Sequence, residues 1–320
     1  MTKKLHLGKW LKRLFYFLLV SFIFSNFVIY NHAYRFTHFS TKDLKKVTVD
    51  AINQKSWSEK LQLAIYGVEV PKSHNNETPK DDYNVITLGE KPQLNAWWIP
   101  TSKPPKGVFI CFHGYSACKA AHINEAKVLR SLGYHTFLVD FRGHGDSEGT
   151  QTSIGFHEAK DVLTAYQYVQ RYYDELPISL MGTSMGSVSI LKAVHDYQLD
   201  AAHLIIECPF ESLRTAVYSR FENMKLPTFV LPELLLFWGG WQNDMNGFAH
   251  NAANYATKVS VPTLVLYGKN DTKVRRSEVD AVFNALAGKR QFVVLEDAGH
   301  DHMMEDDRAA WTKAVWSFLE

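Results

Sequence analysis

Cysteine is scarce in this chain: Cys111, Cys118 and Cys208 are its three, they share no metal-ligand spacing, and an odd number cannot pair completely. That excludes a disulfide framework and a cysteine-built metal site. Cys111 and Cys208 stand in apolar runs, where a free cysteine serves as a small buried hydrophobe, and Cys118 stands in a loop. An excess of positive charge is lacking outside the N-terminus. The formal net charge is +2, and Lys3, Lys4, Lys9, Lys12 and Arg13 supply five positives with no acid among the first thirteen residues; taking those five away leaves −3 on the remainder. A mildly acidic body with no extended basic face excludes nucleic-acid binding as its business. A nucleotide-binding loop is missing too. The glycine-rich stretch Asp140-Phe141-Arg142-Gly143-His144-Gly145-Asp146-Ser147-Glu148-Gly149 has neither Gly-x-Gly-x-x-Gly nor a Gly-Lys-Ser/Thr ending. It reads as a rigid loop bordering a site, tied down by Asp140 and Arg142.

Charge is absent from residues 14–30, a nearly continuous apolar and aromatic run behind the basic N-terminus. Its length is at the short end of the roughly 17 to 25 residues needed to span a bilayer. The residues that follow, Asn31-His32-Ala33-Tyr34-Arg35, hold no good small-x-small cleavage site, which favours an uncleaved anchor over a signal peptide. Five positives precede the run, and Arg35, Lys42, Lys45 and Lys46 follow it, a modest bias that points the N-terminus to the cytoplasm and the rest across the membrane. Secretion or a periplasmic location after signal cleavage is the alternative.

With 46% hydrophobic and 21% charged residues, the 320-residue chain suits one large domain plus an appendage. Residues 1–36 make a basic segment and anchor. Residues 37–82 read as a stem, with a capping box at Ser56-Trp57-Ser58-Glu59 opening a short helix and a polar linker over 71–82. From Tyr83 to Glu320 strands and helices alternate. A hairpin is expected over 85–88 and 94–99, then buried strands at 108–112, 136–139, 178–181, 203–207, 263–267 and 291–295. Helices are expected at 120–132, 155–173, 187–197, 277–287 and 307–319. This order implies a mostly parallel sheet covered by helices on both faces, with its site at the carboxyl ends of the strands.

At one such end lies Gly182-Thr183-Ser184-Met185-Gly186. Gly-x-Ser-x-Gly occurs by chance in about one chain in ten of this length, so the bare pattern says little. Its setting says more: an apolar strand leads in and a helix leads out, the geometry of a nucleophile elbow. A serine hydroxyl is a weak nucleophile and must stand clear of the backbone where a base can reach it. The helix beginning at Met185 adds unpaired N–H groups and a dipole that favour negative charge beside the serine. The end of another strand carries His113-Gly114-Tyr115, where a sharp turn aims the N–H of Tyr115 at the same point as the N–H of Met185, as an oxyanion hole. His113 itself is not expected to be catalytic. The last strand ends supply Asp271 and His300, in the order Ser, Asp, His. His300 is expected as the base and Asp271 as its orienting acid; His302 as base, and Asp297 or Asp244 as acid, are weaker alternatives.

Five landmarks in this order, namely His113-Gly114, the 140–147 loop, the elbow, Gly268-x-x-Asp271 and Ala298-Gly299-His300, resemble the α/β-hydrolase superfamily across 83–320. The match looks closest to its serine-aminopeptidase and monoglyceride-lipase-like branch. The resemblance implies an α/β-hydrolase fold on an eight-stranded sheet, a Ser184-His300-Asp271 triad, an oxyanion hole from the N–H groups of Tyr115 and Met185, and no cofactor and no metal. One departure is that Tyr115-Ser116-Ala117-Cys118 lacks the longer glycine run of many lipases, which implies a narrower hole. Residues 209–259 interrupt the alternation and are rich in large apolar groups, among them Phe210, Phe229, Trp238 and Trp241. They read as a small helical cap, either an acyl-chain or membrane-facing surface or a cap packed on itself. Together these readings predict a membrane-anchored serine hydrolase acting on small-molecule ester or lipid-like substrates. A peptidase or thioesterase of the same mechanism, or a non-catalytic tethered binding protein, are the alternatives.

Overall fold

The computed structural model describes residues 2–44, 51–52 and 54–320. Lys45 and Lys46, counted above in the charge flanking the apolar run, lie outside the described residues. Eight strands form a single sheet in the order β1-β2-β4-β3-β5-β6-β7-β8. They are β1 Asn84–Leu88, β2 Leu94–Ile99, β3 Gly107–Phe112, β4 Tyr134–Val139, β5 Ile178–Thr183, β6 Leu204–Glu207, β7 Thr263–Gly268 and β8 Arg290–Leu295. β1 and β2 form an antiparallel hairpin, β2 pairs antiparallel with β4, and every later pairing is parallel.

The continuous apolar runs are explained by burial on both faces. In β3, Val108, Ile110 and Phe112 enter one core and Phe109 and Cys111 the other, the period-two alternation of a strand. The first core is closed by α4 (Glu158–Tyr172), α5 (Met185–Tyr197) and α9 (Arg276–Ala285). The second is closed by α3 (Ile123–Ser131) and α10 (Arg308–Leu319), whose Trp311 is fully buried. Each expected strand and helix is present, with ends shifted by a few residues. Register brings the carboxyl ends level: Phe112 lies opposite Val139 and Gly182, Thr183 opposite Glu207, and Gly268 opposite Leu295.

The N-terminal helix α1 (Thr2–Thr37) is long and apolar enough over Gly8–Thr37 to cross a membrane, a property that signal sequences share. Its two halves differ. Phe15, Phe17, Phe22 and Ile23 are all more than half exposed, whereas Ile29, Ala33 and Thr37 are buried against the protein. The outward-facing residues 8–25 cover about 27 Å at 1.5 Å per residue, close to the roughly 30 Å of a bilayer core. Three helices lie between β6 and β7, α6 (Leu213–Asn223), α7 (Leu231–Gln242) and the short α8 (Ala252–Ala256), and the remainder docks chiefly on α7. Trp238 Nε1–H donates to Asn26 Oδ1 at 3.0 Å, Gln242 Nε2–H to the carbonyl of Tyr30 at 3.0 Å, and Tyr30 packs edge-on against Trp238. Segment 209–259 is therefore a seat for the apolar helix. Between α1 and β1, Ser56 caps α2 (Trp57–Tyr66) in a full capping box with Glu59.

His250, at the base of these helices, is fully buried between the hydroxyl of Tyr255 (3.1 Å) and the carbonyl of Ile154 (3.0 Å). Burial pulls its pKa down to about 4. The folded state thus prefers the neutral ring, and its contribution to stability is complete above about pH 6.5 and lost as pH falls toward 4. We expect a loss of about 2 to 3 kcal/mol from this group between pH 7 and pH 4.5. His250→Gln should flatten that part of the pH dependence in denaturant unfolding, and a variant as acid-sensitive as the parent would remove His250 from this role.

Candidate active site

β5 runs directly into α5, and Ser184 sits at the junction with φ 52° and ψ −110°. A non-glycine residue holds such a conformation only where its surroundings over-determine it. The surroundings are specific here. Ser184 N–H donates to the carbonyl of Glu207 at 2.9 Å, and the Ser187 hydroxyl reaches the carbonyls of Gly182 (2.6 Å) and Glu207 (2.8 Å). The Glu207 carboxylate accepts from the Thr183 hydroxyl at 2.6 Å and from Trp311 Nε1–H at 2.7 Å. A Cβ on Gly182 would meet the backbone of Gly186 at 2.6 Å, and one on Gly186 would meet the carbonyl oxygen of Phe112 at 2.1 Å. Close approach of α5 to β5 and β3 therefore requires both glycines.

The loops after β7 and β8 meet this elbow. His300 Nε2 lies 3.1 Å from Ser184 Oγ, and its Nδ1 lies 2.7 Å from Asp271 Oδ2. Asp271 is held by two backbone donors, the N–H groups of Lys273 (2.7 Å) and Val274 (2.9 Å), both to Oδ1. Because an ionised carboxylate only accepts, its contact with Nδ1 sets the tautomer with the proton on Nδ1 and leaves Nε2 to accept from the serine hydroxyl. The side chains of His300 and Asp271 are 9% and 0% exposed, so water barely competes for this chain of bonds. The alternatives stand outside this chain of bonds: the His302 side chain borders the same cavity but is 73% exposed beside Glu305, and Asp297 and Asp244 are exposed.

Beyond β3, Gly114 packs on the Thr183 carbonyl and Ser184 Cβ, which brings the Tyr115 backbone beside the serine. Two neutral histidines hold this turn. His113 donates from Nδ1 to the Gly114 carbonyl (2.7 Å) and accepts from Phe141 N–H (3.1 Å); His144 donates to the Arg142 carbonyl (2.9 Å) and accepts from Ser116 N–H (3.3 Å). Burial lowers the pKa of both, which suits a ring that must accept at Nε2. His113 is thus a structural clamp. The glycine-rich loop is tied down as expected, with Arg142 forked onto Asp161 and Asp140 paired with the fully buried Lys119 at 2.6 Å. Asp140 also accepts from Asn75 Nδ2 at 2.8 Å, and Gly145 N–H donates to Ser73 Oγ at 3.1 Å, while Ser73 donates to the Ala117 carbonyl at 2.6 Å, so the polar stretch 71–82 is fastened both to this loop and to the turn after β3.

Ser184 opens into a cavity of about 340 Å³. Phe210, Leu213 and Val217 give it an apolar wall, and His122, Glu125 and Glu207 a buried polar one. Burial, reinforced by the charge on Glu125, raises the pKa of Glu207. Burial alone would lower that of His122, but Glu125 and Glu207 outweigh it and the pKa rises. Cys208, Asp271 and His300 lie near enough together to invite a metal ion. Burial, with Asp271 and Glu207 nearby, pushes the Cys208 thiol well up, which favours the thiol over the thiolate. Cys118 is likewise held protonated, pushed up to about 11 by burial.

Sequence reasoning brought Ser184, Asp271, His300, Tyr115 and Met185 to one place. It missed Glu207, Lys119 and Arg220. Glu207 carried a readable signal, an acid at the carboxyl end of a buried strand; the other two are drawn in by tertiary contacts alone.

A family model described as serine aminopeptidase, S33 (Hydrolase_4) matches residues 103–244. The uncharacterized protein YqkD of Bacillus subtilis is 23% identical over 230 residues, covering 71% of this chain and 75% of that protein. The lysophosphatidylserine lipase ABHD12 of Danio rerio is 27% identical over 186 residues, 56% of this chain and 47% of its own, so the match spans about half of that lipase. The esterase Pf2001 of Pyrococcus furiosus shares the fold at a TM-score of 0.65 with 24% identity, over 78% of this chain and 96% of that one. The sheet shows the α/β-hydrolase fold, and the matched segment and these relatives support an α/β-hydrolase of the serine-aminopeptidase branch.

Proposed function

We propose that the chain is a membrane-anchored serine hydrolase that cleaves carboxylic esters of lipid-like character through an acyl-enzyme on Ser184. The observation that carries this reading is the bonded series Ser184, His300, Asp271 at the mouth of a cavity with an apolar wall. Ser184 Oγ attacks the ester carbonyl carbon while His300 Nε2 takes its proton. The oxyanion is met by the N–H groups of Tyr115 and Met185; Met185 opens α5, so its N–H has no acceptor within the helix. Collapse breaks the ester C–O bond, and His300 returns the proton to the departing alkoxide. Water then attacks the acyl carbon with His300 again as base, releasing the carboxylic acid and restoring Ser184. Asp271 holds the ring and stabilises the imidazolium in both halves.

The anchor reading assigns residues 1–36 to the membrane, 37–82 to a stem and 83–320 to the catalytic domain with 209–259 as cap, on the non-cytoplasmic side. Uncleaved retention of α1 is supported by its packing: Phe36 stacks on Tyr115 at 4.7 Å between ring centroids, and Arg35 pairs with Glu69 at 2.6 Å. The lipase and esterase relatives, with the apolar wall, favour an ester; the serine-aminopeptidase description of the family model favours a peptide amide, which a panel of matched ester, thioester and amide substrates separates. A fluorophosphonate probe should label the protein at Ser184, located by peptide mass. A folded protein that does not react there is a binding protein on a hydrolase fold instead.

A further inference from the structure

α6 turns Leu213, Ala216, Val217 and Arg220 toward the cavity that holds Ser184. The spacing is that of one helical face, and three of its four positions are apolar. The fourth carries a guanidinium. Arg35, Arg130, Arg142, Arg214, Arg275 and Arg276 each contact a carboxylate. Among the described residues Arg220 has no carboxylate within ion-pair distance and no hydrogen-bond acceptor; its contacts are with aromatic faces, 4.4 Å from the Phe36 ring centroid and 5.8 Å from that of Tyr115. Its side chain is open to solvent although the surrounding protein lowers its pKa by desolvation, the position of a group that faces an open cavity from within the fold. Stacking on Phe36 holds the guanidinium plane while leaving its edge of N–H donors without a protein partner. A planar, permanently charged fork presented this way matches two oxygens of a carboxylate or phosphate.

We propose that Arg220 binds an anionic group, carboxylate or phosphate, carried by the ester whose carbonyl lies at Ser184, so that the pocket selects negatively charged amphiphiles over neutral ones. This rests on the serine-hydrolase reading above. Leu213 and Val217 contact the acyl chain from the same helix, Phe36 supports the arginine from the end of α1, and the anchor helix thereby becomes part of the specificity site.

The test uses the full chain in a neutral detergent and three dodecanoyl esters that share one acyl group: of glycerol, of glycerol 3-phosphate and of glyceric acid. We expect the parent to favour at least one of the charged esters over the neutral one in kcat/KM. Arg220→Met should reduce that ratio tenfold or more, mainly through KM, and Arg220→Lys should keep part of it. Phosphate and glycerate headgroups distinguish the two anions. Competitive inhibition of the parent by inorganic phosphate, lost in Arg220→Met, would show that the site takes the free ion as well. A parent with no preference for charge, an unchanged ratio in Arg220→Met, or an equal loss on all three esters overturns the proposal; the last assigns Arg220 to holding the pocket in shape. Fluorophosphonate labelling in the same samples separates the two readings. A labelled parent without charge preference removes only the anion site, whereas a parent that neither labels nor turns over any ester removes the hydrolase reading itself.

Discussion

Ser184→Ala is expected to lower ester turnover by a factor on the order of 10⁶, the size of effect seen when a triad nucleophile is deleted. The change removes the one oxygen placed 3.1 Å from His300 Nε2 and leaves the elbow intact, because its hydrogen bonds run through the Ser184 backbone N–H, Thr183 and Ser187. Asp271→Asn should cost about 10⁴ in turnover with little change in KM, since an amide nitrogen facing Nδ1 favours the tautomer that carries its proton on Nε2, where it cannot accept from the serine. Ester hydrolysis by purified variants, compared with the parent on one substrate, measures both. Ser184→Ala retaining even a hundredth of parental activity, in a preparation free of other esterases, would mean that another group performs the attack.

Lys119→Met is expected to have the largest effect on stability. Lys119 and Asp140 are both fully buried, Nζ donates to Asp140 Oδ2 at 2.6 Å and to Asp146 Oδ2 at 2.7 Å, and the ammonium lies 4.5 Å from the Trp97 ring centroid. Removing one member of a buried pair leaves the other charge uncompensated, at a cost of about 3 to 5 kcal/mol. In a domain of this size the unfolding midpoint should drop by roughly 10 °C. Asp146→Asn, at a half-exposed partner, should cost far less. The double substitution Lys119→Met with Asp140→Asn should be milder than the two single losses added together, since neither charge is then left alone. Thermal unfolding of the parent, of Lys119→Met, Asp140→Asn and Asp146→Asn, and of the double variant decides it, and a Lys119→Met midpoint matching the parent would show that Asp140 is satisfied by Asn75 and backbone N–H groups without the lysine.

The two predictions also mark where reading the chain succeeds. Ser184, Asp271 and His300 were legible because each follows an apolar run short enough to be a buried strand, and parallel strands in one sheet present their carboxyl ends along a single edge. The elbow glycines were legible for a local reason, since the turn itself brings positions 182 and 186 together. Lys119 gave no such sign. It stands in a short 3-10 turn, Lys119–His122, and nothing in its neighbours predicts a fully buried ammonium. Its partners come from two other segments, Asp140 and Asp146 from the loop after β4 and, through Asp140, Asn75 from a stretch that reads as polar linker. Arg220 is the same case at the cavity: a helical arginine is ordinarily a surface residue, and only the docking of Phe36 and Tyr115 beside it makes it a group inside the pocket.

By itself the sequence determined the order of strands and helices, the apolar N-terminal helix and the candidate reacting groups, because those depend on hydrophobic period, run length and residues a few positions apart. Only the tertiary structure decided what surrounds them. Segment 209–259 reads from composition either as an acyl-chain or membrane-facing surface or as a cap packed on itself; in the structure α6 turns one face to the cavity that holds Ser184 while α7 holds the N-terminal helix through Trp238 and Gln242. Which charges stay paired in the interior, and which one is left facing the cavity, depends on contacts between segments as much as 184 residues apart, Phe36 and Arg220 among them, and no local pattern carries that information.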